Sequence, residues 1–311
     1  IVAGADGKGT IENCHYTGTI NITINSANTM GMGGIVGQAS DCTVENCENA
    51  GTVISDIHTG GVVGRNNSGG EVLNCRNSGY VKSSGNRASG GVVGDNYGEI
   101  KNSYNIGTVT GSGGWTGGVT GHNVAESSPN AKTGGIVENC YNAGTVSGSG
   151  SVGGVVGHNN SSVSHTAIVR SSYNTGTVTG GSRTGGVVGY IESGVVENCY
   201  NTGDVTGSVD GSDAGGVVGG IEGNVNGNES TVSNCYNTGD VTGSGNAGGV
   251  VGKMDSESNT VSYCYYLEQD GLPGIGTAVT GTVTDVTSKT ADEFADPGSF
   301  PNLDFKNTWT I

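Results

Sequence analysis

The sequence predicts an all-β fold: a right-handed parallel β-helix, or β-solenoid, of about nine coils with three short strands per coil. Three observations predict it. Short glycine- and asparagine-rich motifs recur in a fixed order, copies of the first motif lie 27 to 36 residues apart, and valine or isoleucine occupies fixed places in each copy. A period of this size is typical of repeats that bury their apolar residues against one another.

Each repeat contains three motifs, and we expect each motif to form one strand that is ended by a glycine or asparagine turn. The first, Gly-Gly-Val-Val-Gly or a variant, begins at Gly33, Gly60, Gly90, Gly117, Gly153, Gly185, Gly215 and Gly248. The second, Asn-Cys-Tyr-Asn or a variant, begins at Asn13, Asn46, Asn74, Asn102, Asn139, Ser171, Asn198, Asn234 and Tyr263. The third is Gly-Thr-Val-Thr-Gly, as at Gly107–Gly111. Coils stacked about 4.8 Å apart would give a rod roughly 40 Å long.

Comparison of the copies indicates what each position of the second motif does. Its Cys position holds only Cys, or Ser at Ser103 and Ser172, so it should point inward. We expect the seven cysteines of this position to be buried free thiols, because stacked neighbours have parallel Cβ vectors; disulfides are the alternative. Cys42 lies outside this series. The Asn that begins the motif recurs in seven of nine copies, which predicts a hydrogen-bonded asparagine ladder.

Composition excludes several classes of protein. The 62 glycines among 311 residues cannot fill one large globular core. A net charge of −16 opposes binding to nucleic acid or to anionic membranes. No run of 18 apolar residues occurs, so no membrane insertion is expected. The chain begins Ile1-Val2-Ala3-Gly4 without a leader, and we expect a piece of a longer or processed extracellular protein.

The repeat pattern divides the chain into a solenoid over residues 1–266 and a C-terminal capping segment over 267–311. Phe294, Phe300, Phe305 and Trp309 appear in the segment, which we expect to cover the open end of the last coil. The first coil begins inside a strand and has no such cover. This predicts end-to-end self-association, head to head, through the N-terminal coil.

A tyrosine follows the Cys position in most of the later coils, and these side chains are the first candidate ligand site. They are Tyr104, Tyr141, Tyr173, Tyr200, Tyr236 and Tyr265. An exposed aromatic stripe can bind sugar rings through its faces and hydroxyls. The alternative is that the rings stack on one another and shield the strands. Threonine pairs such as Thr108/Thr110 could suggest ice binding, but residues such as Lys82 interrupt that plane.

A second candidate site follows the first motif, where successive coils carry Asp95, His122, His158 and Tyr190. Stacking should place these side chains in one column, beside two insertions that carry Glu126 and His165. Two histidines and a carboxylate can bind a metal ion with open positions. The alternative is a solvated corner of accidental composition. Cys42 and Cys47 have no companions that would complete a metal site, and no cofactor is expected.

Gly-Gly-Val-Val-Gly followed by Asn-Cys-Tyr-Asn-x-Gly-x-Val resembles the GLUG repeat over residues 1 to about 266. The resemblance implies a bacterial secreted or surface protein, and some immunoglobulin A metallopeptidases carry such repeats. The tail from Leu303 to Trp309 is similar to a segment that follows these repeats in Gram-positive surface proteins. The zinc-protease motif His-Glu-x-x-His is absent from the sequence, so no peptidase activity is carried over.

We therefore expect a non-enzymatic structural or adhesive rod. A carbohydrate-binding module of a larger secreted enzyme is the alternative, and a metal-dependent hydrolase at the insertions is a third hypothesis. The expected partners are glycans, host or cell-surface proteins and neighbouring domains of the same chain.

Overall fold

The computed structural model describes residues 2–24, 30–127, 134–222, 229–278 and 280–303. It confirms the all-β parallel solenoid: each described strand pairs in parallel with its counterparts in adjacent coils. The strands form five columns along the rod, which we number in their order within a coil. The handedness of the winding stays a prediction.

The first column lies just before the first motif and ends on its first glycine. Its strands are β5 (Gly31–Gly33), β10 (His58–Gly60), β15 (Ser89–Gly90), β20 (Trp115–Gly117), β25 (Ser151–Gly153), β30 (Arg183–Gly185), β34 (Asp213–Gly215) and β39 (Ala247–Gly248). The second column carries the second valine of the motif. Its strands are β1 (Val2–Asp6), β6 (Val36–Ser40), β11 (Val63–Asn66), β16 (Val93–Asn96), β21 (Thr120–Val124), β26 (Val156–Asn160), β31 (Val188–Glu197), β35 (Val218–Ile221), β40 (Val251–Met254) and β42 (Ile275–Ala278).

The third and fourth columns flank the Cys position. The third consists of β2 (Thr10–Glu12), β7 (Thr43–Glu45), β12 (Glu71–Leu73), β17 (Glu99–Lys101), β22 (Ile136–Glu138), β27 (Ile168–Arg170), the second half of β31, β36 (Ser230–Ser233), β41 (Thr260–Leu267) and β43 (Thr282–Lys289). The fourth consists of β3 (His15–Tyr16), β8 (Glu48–Asn49), β13 (Arg76–Asn77), β18 (Tyr104–Asn105), β23 (Tyr141–Asn142), β28 (Tyr173–Asn174), β32 (Tyr200–Asn201), β37 (Tyr236–Asn237) and the ends of β41 and β43.

The fifth column is the Gly-Thr-Val strand, and it closes the coil. It consists of β4 (Thr19–Ile22), β9 (Thr52–Ser55), β14 (Tyr80–Ser83), β19 (Val109–Gly111), β24 (Val146–Gly148), β29 (Val178–Gly180), β33 (Val205–Gly207) and β38 (Val241–Thr242). A coil thus contains up to five short strands where the sequence predicted three. Sharp bends at the glycine pair and at the Asn before Cys divide the longer strands that the motifs suggested.

The core consists of valines and isoleucines that stack from coil to coil, together with the thiols of the Cys position. The glycine pair is needed because neighbouring coils touch there: a Cβ on Gly154 would collide with the Gly186 carbonyl and the Asn174 side chain. All eight cysteines are free, which confirms the predicted thiols; six of the seven at the motif position are buried and Cys14 is half-buried. Burial raises the pKa of Cys140 to about 12.

The asparagine ladder exists, but its predicted position is wrong. The Asn that begins each motif has a backbone φ of 52° to 56°, as in Asn139, and Ser171 and Tyr263 adopt the same left-handed conformation in their coils. Asn tolerates that conformation better than most residues, which explains its recurrence. The ladder is built instead from the last Asn of the motif. Its members are Asn49, Asn77, Asn105, Asn142, Asn174, Asn201 and Asn237.

These seven asparagines are fully buried, and each of the first six donates from Nδ2 to the Oδ1 of the next at 2.6–2.7 Å. Their Nδ2 atoms also donate to the carbonyl two residues along the chain, as Asn142 does to Gly144 at 2.8 Å. A second, shorter ladder runs through Asn66, Asn96, Asn123 and Asn159. Because buried amides cost free energy unless they are paired, each ladder holds adjacent coils in register.

The C-terminal segment stacks on the last coil, as the predicted cap would. β42 and β43 pair in parallel with β40 and β41, and the stacked strands continue to Lys289. A short helix, α1 (Ala291–Phe294), and a 3-10 turn (Pro297–Ser299) then pack beside the fourth column. There Phe300 meets Tyr265 edge to face, with ring centroids 5.1 Å apart. The described part of the segment thus covers the end of the last coil with its strands and one side of the rod with α1 and the 3-10 turn. Phe305 and Trp309 lie outside the described residues.

In the ranges that the structure describes, helix is confined to α1 and the 3-10 turn. None of the helices in the described parts of the chain is long and apolar enough to cross a membrane.

Candidate functional site

Five of the six tyrosines, all but Tyr265, stand directly before the ladder asparagines. They lie in two-residue strands whose Asn points inward and whose Tyr is half-buried on the outer wall. Stacked coils therefore bring the rings face to face. Centroids are 4.6 Å apart for Tyr104 and Tyr141, 5.0 Å for Tyr141 and Tyr173, and 4.6 Å for Tyr173 and Tyr200, with interplanar angles of 4°. Tyr236 continues the stack 4.9 Å beyond Tyr200.

This stacking restricts what the tyrosines can bind. Sugar recognition through a ring face needs that face to be open, whereas both faces of Tyr141, Tyr173 and Tyr200 are covered by neighbouring rings. The C-terminal segment also encloses Tyr265, which is 1% exposed and whose hydroxyl donates to Asp285 at 3.1 Å. A glycan site on this stripe stays a prediction, and it would have to use ring edges and hydroxyls.

The side chains of the second candidate site do stack in one column. Strand pairing aligns Asp95 with His122, His122 with His158, and His158 with Tyr190, as the repeat predicted. The His122 and His158 rings stack 4.9 Å apart, and the His158 and Tyr190 rings 4.7 Å apart. The expected alternative, a solvated corner, is wrong, because all four residues are at most 8% exposed. We call these four residues the histidine column.

Residues of the first strand column complete this site, and the sequence reading missed them. Trp115 stacks on His122 with centroids 4.2 Å apart. His58 Nδ1 lies 3.6 Å from Asp95 Oδ2. Their shared place in the repeat could have identified them. His58 and Trp115 both stand two residues before the first glycine of the motif.

Two arginines flank the column. The guanidinium of Arg65 lies near Asp95, with Nε 3.7 Å from Oδ2. Farther along, the guanidinium of Arg183 lies over the Tyr190 ring, 4.1 Å from its centroid.

Burial shifts the pKa values of the titratable side chains in and beside the histidine column. It lowers the pKa of His158 to about 4 and also lowers the pKa of His58, so both rings are neutral at neutral pH. Burial raises the pKa of Asp95, but the His122 hydrogen bond at 3.0 Å and the nearby Arg65 guanidinium outweigh it, so the carboxyl pKa is lowered. The column therefore contains one buried carboxylate, and its His158 ring is neutral.

The arrangement does not form a metal centre. Among the described residues, no group of three or more His, Cys, Asp or Glu side chains is placed to hold a metal ion. The physical reason is that stacked rings, with 13° between the His122 and His158 planes, present nearly parallel lone pairs that do not converge on one point. Glu126 and His165 do contact each other, with His165 Nδ1 3.2 Å from the Glu126 carbonyl. That contact uses the backbone and leaves the metal hypothesis without support.

Comparison with known proteins agrees with the repeat. The GLUG motif matches residues 28–54 and 180–206. No curated protein matches the chain. One similar crystal structure is from Bacteroides ovatus and is described as a "putative immunoglobulin A1 protease"; it is 20% identical, with a TM-score of 0.54 over 85% of this chain and 80% of that one. At this identity the likeness concerns the fold alone.

Proposed function

We propose that this GLUG-repeat solenoid is a non-enzymatic structural or adhesive segment of a bacterial surface or secreted protein. The observation that carries the proposal is the buried asparagine ladder, in which six consecutive hydrogen bonds of 2.6–2.7 Å between side-chain amides run along the rod axis. A cooperative ladder of this kind joins the coils into a stiff unit. The second strand column stacks ten strands, which spans about 45 Å at the usual spacing.

Adhesion is tested by displaying the chain on a bacterium that does not attach to glycoprotein-coated surfaces. We expect attachment to rise several-fold above that of the undecorated strain. A matched strain displays the Asn142→Ala variant, whose coils should open, and shows whether attachment requires the folded rod. Equal attachment by all three strains would contradict the adhesive role and leave only a spacer.

The non-enzymatic part is tested separately. Purified chain is incubated with immunoglobulin A1, with denatured protein and with polysaccharides, and products are followed by mass spectrometry. We expect no turnover. Multiple turnovers that persist after further purification would overturn the proposal and favour the hydrolase hypothesis.

A second candidate function, a carbohydrate-binding module, is favoured by the row of half-buried tyrosines. Because the ring faces are occupied, binding would depend on hydroxyls at the ring edges. A glycan array with a Tyr141→Phe/Tyr173→Phe variant tests this, since Phe keeps the stacking and removes only the hydroxyls. We expect any hits to weaken at least tenfold in the variant; undiminished hits would locate the site elsewhere.

End-to-end association stays a prediction. An apolar cavity of about 310 Å³ at the first coil, lined by Ile20, Ile22 and Met30 among others, supports contact there. The C-terminal strand β43 also exposes Val283 at 46%, so head-to-tail contact competes with the predicted head-to-head contact. Sedimentation over a concentration range separates the two, because head-to-head contact ends at a dimer whereas head-to-tail contact extends.

A further inference from the structure

The second asparagine ladder ends beside the histidine column. It passes from Asn123 to Asn159 at 2.7 Å and stops there, because the next coil holds Ile191 at the paired position. The Asn159 amide donates within its own coil instead, to the Ala167 carbonyl at 3.2 Å. The ladder that joins β21 to β26 therefore does not continue to β31.

The strand pairing is irregular at the same level. Asn159 pairs with Ile191 but Asn160 pairs with Ser193, so Glu192 has no counterpart in β26. A bulge of this kind interrupts the backbone hydrogen bonds and re-aims a side chain. Here Oε2 of Glu192 lies 3.3 Å from Nε2 of His158. We call the junction between β26 and residues 188–193 of β31 the seam.

His158 lies in the seam, directly before Asn159, and its surroundings are poorly suited to a charge. The residue is 3% exposed, and neither ring nitrogen has a well-aligned hydrogen-bond partner in the part of the chain that the structure describes. A positive charge on this ring would lose its hydration and gain little in exchange.

The titratable and charged groups that face His158 come from three strands. Tyr190 and Glu192 lie on β31, and the Tyr190 ring stacks on the imidazole. His122 of β21 stacks on it from the preceding coil, and the Arg183 guanidinium of β30 lies over the Tyr190 ring. Of these groups, Glu192 alone favours a positive charge on His158, and its side chain is 26% exposed. The facing groups therefore compensate for little of the burial.

We propose that the seam opens in acid: protonation of His158 separates β26 from residues 188–193, while the main asparagine ladder keeps the coils together. That ladder crosses the same coils without a break, from Asn142 through Asn174 to Asn201 at 2.7 Å for each bond. Burial lowers the pKa of His158 to about 4, so the closed seam excludes the proton and the open seam accepts it. The inference goes beyond the structural role and does not depend on it.

The first experiment is hydrogen exchange of the native chain between pH 7 and pH 4, read by mass spectrometry and corrected for the intrinsic exchange rate at each pH. The opening constant of the seam should rise about tenfold for each pH unit below 6.5, and about 300-fold in all by pH 4. At pH 4, amides of residues 156–160 and 188–193 should exchange at least about tenfold faster than those of the main-ladder strands β28 and β32.

Trp115 reports the same opening independently. Its ring centroid lies 4.2 Å from that of His122 and 4.9 Å from that of His158, and the sequence has one other tryptophan, Trp309. In a Trp309→Phe background, acrylamide should therefore quench the fluorescence of Trp115 more strongly as the pH falls from 6.5 to 4. The change should reverse when the pH is raised.

Variants assign the response to one ring. His158→Phe keeps a ring in the stack and cannot take up a proton, so the acid response should be lost in both measurements. His165→Gln is the matched control, because His165 lies in the same coil and outside the column, and both responses should remain. Circular dichroism at neutral pH checks that each variant is folded.

Three results would overturn the proposal. If the seam amides of the original chain are as protected at pH 4 as at pH 6.5, the closed seam accepts the proton. If the seam and the main-ladder strands exchange at the same rate in acid, whole coils open instead. An acid response that persists in His158→Phe would assign the opening to another group.

Discussion

Removal of one amide from the asparagine ladder should open the rod locally. Asn142 makes four hydrogen bonds: it accepts from Asn105 at 2.7 Å and from the Gly144 amide at 3.2 Å, and it donates to Asn174 at 2.7 Å and to the Gly144 carbonyl at 2.8 Å. At about 1 kcal/mol for each net bond, the change Asn142→Ala should cost about 3–5 kcal/mol. The former partners of the Asn142 side chain stay buried without a hydrogen bond, which keeps the loss of free energy of unfolding at that level.

Because a solenoid opens coil by coil, the loss is best measured by hydrogen exchange rather than by one melting temperature. Amides of residues 141–145 and of the coils on either side should exchange about a hundredfold faster or more, since 1.4 kcal/mol corresponds to a factor of ten. Amides near the first coil should change little.

The matched control lies in the same motif. Asn139 is exposed and has φ 54°, a conformation that glycine adopts without strain, so Asn139→Gly should change exchange by less than tenfold. If Asn142→Ala behaves like Asn139→Gly, the ladder does not hold the coils together, and the reasoning fails.

Two further predictions concern acid and the glycine pair. Burial lowers the pKa of His158 from 6.5 to about 4. As the pH falls from 6.5 to 4, the unfolded chain therefore binds a proton at this histidine and the folded chain does not. The free energy of unfolding should decline by roughly 3 kcal/mol over that range. Urea unfolding at neutral and acidic pH measures the decline. His158→Phe keeps the ring stacking and should reduce the decline. An unchanged dependence of the free energy of unfolding on pH would show that His158 is not its source. Gly154→Ala should destabilise the rod by more than about 3 kcal/mol, because the new Cβ meets the Gly186 carbonyl and the Asn174 side chain. Gly9→Ala, where nothing lies within 4 Å, is the control in the same urea assay, and equal midpoints for the two variants would refute the steric argument.

Much of the histidine column was predictable from the period. Counterparts one repeat apart must stack in a parallel solenoid, so Asp95, His122 and His158 were expected in one column and are paired there. Their burial was not predictable, because it comes from the adjacent first strand column. Trp115 covers His122, and His58 reaches Asp95, which is more than one repeat farther along the chain.

The two asparagines of the motif show a different limit. Both recur, and recurrence alone does not say which is buried. Asn139 recurs because the chain needs a left-handed residue there, whereas Asn142 recurs because its amide continues the ladder. A rule that any recurring Asn forms a ladder therefore selected the wrong one.

The sequence by itself determined the period, the parallel stacking, the inward valines and thiols, and which residues share a column, because each coil repeats the last and vertical neighbours are counterparts in sequence. Only the tertiary structure decided which faces are covered. The tyrosine rings lose their open faces to one another, and the C-terminal segment packs along the side of the rod at Tyr265 while its strands extend the stack. Those contacts join different columns, or join a segment outside the repeat to the rod, and no periodicity in the sequence encodes the distance between them.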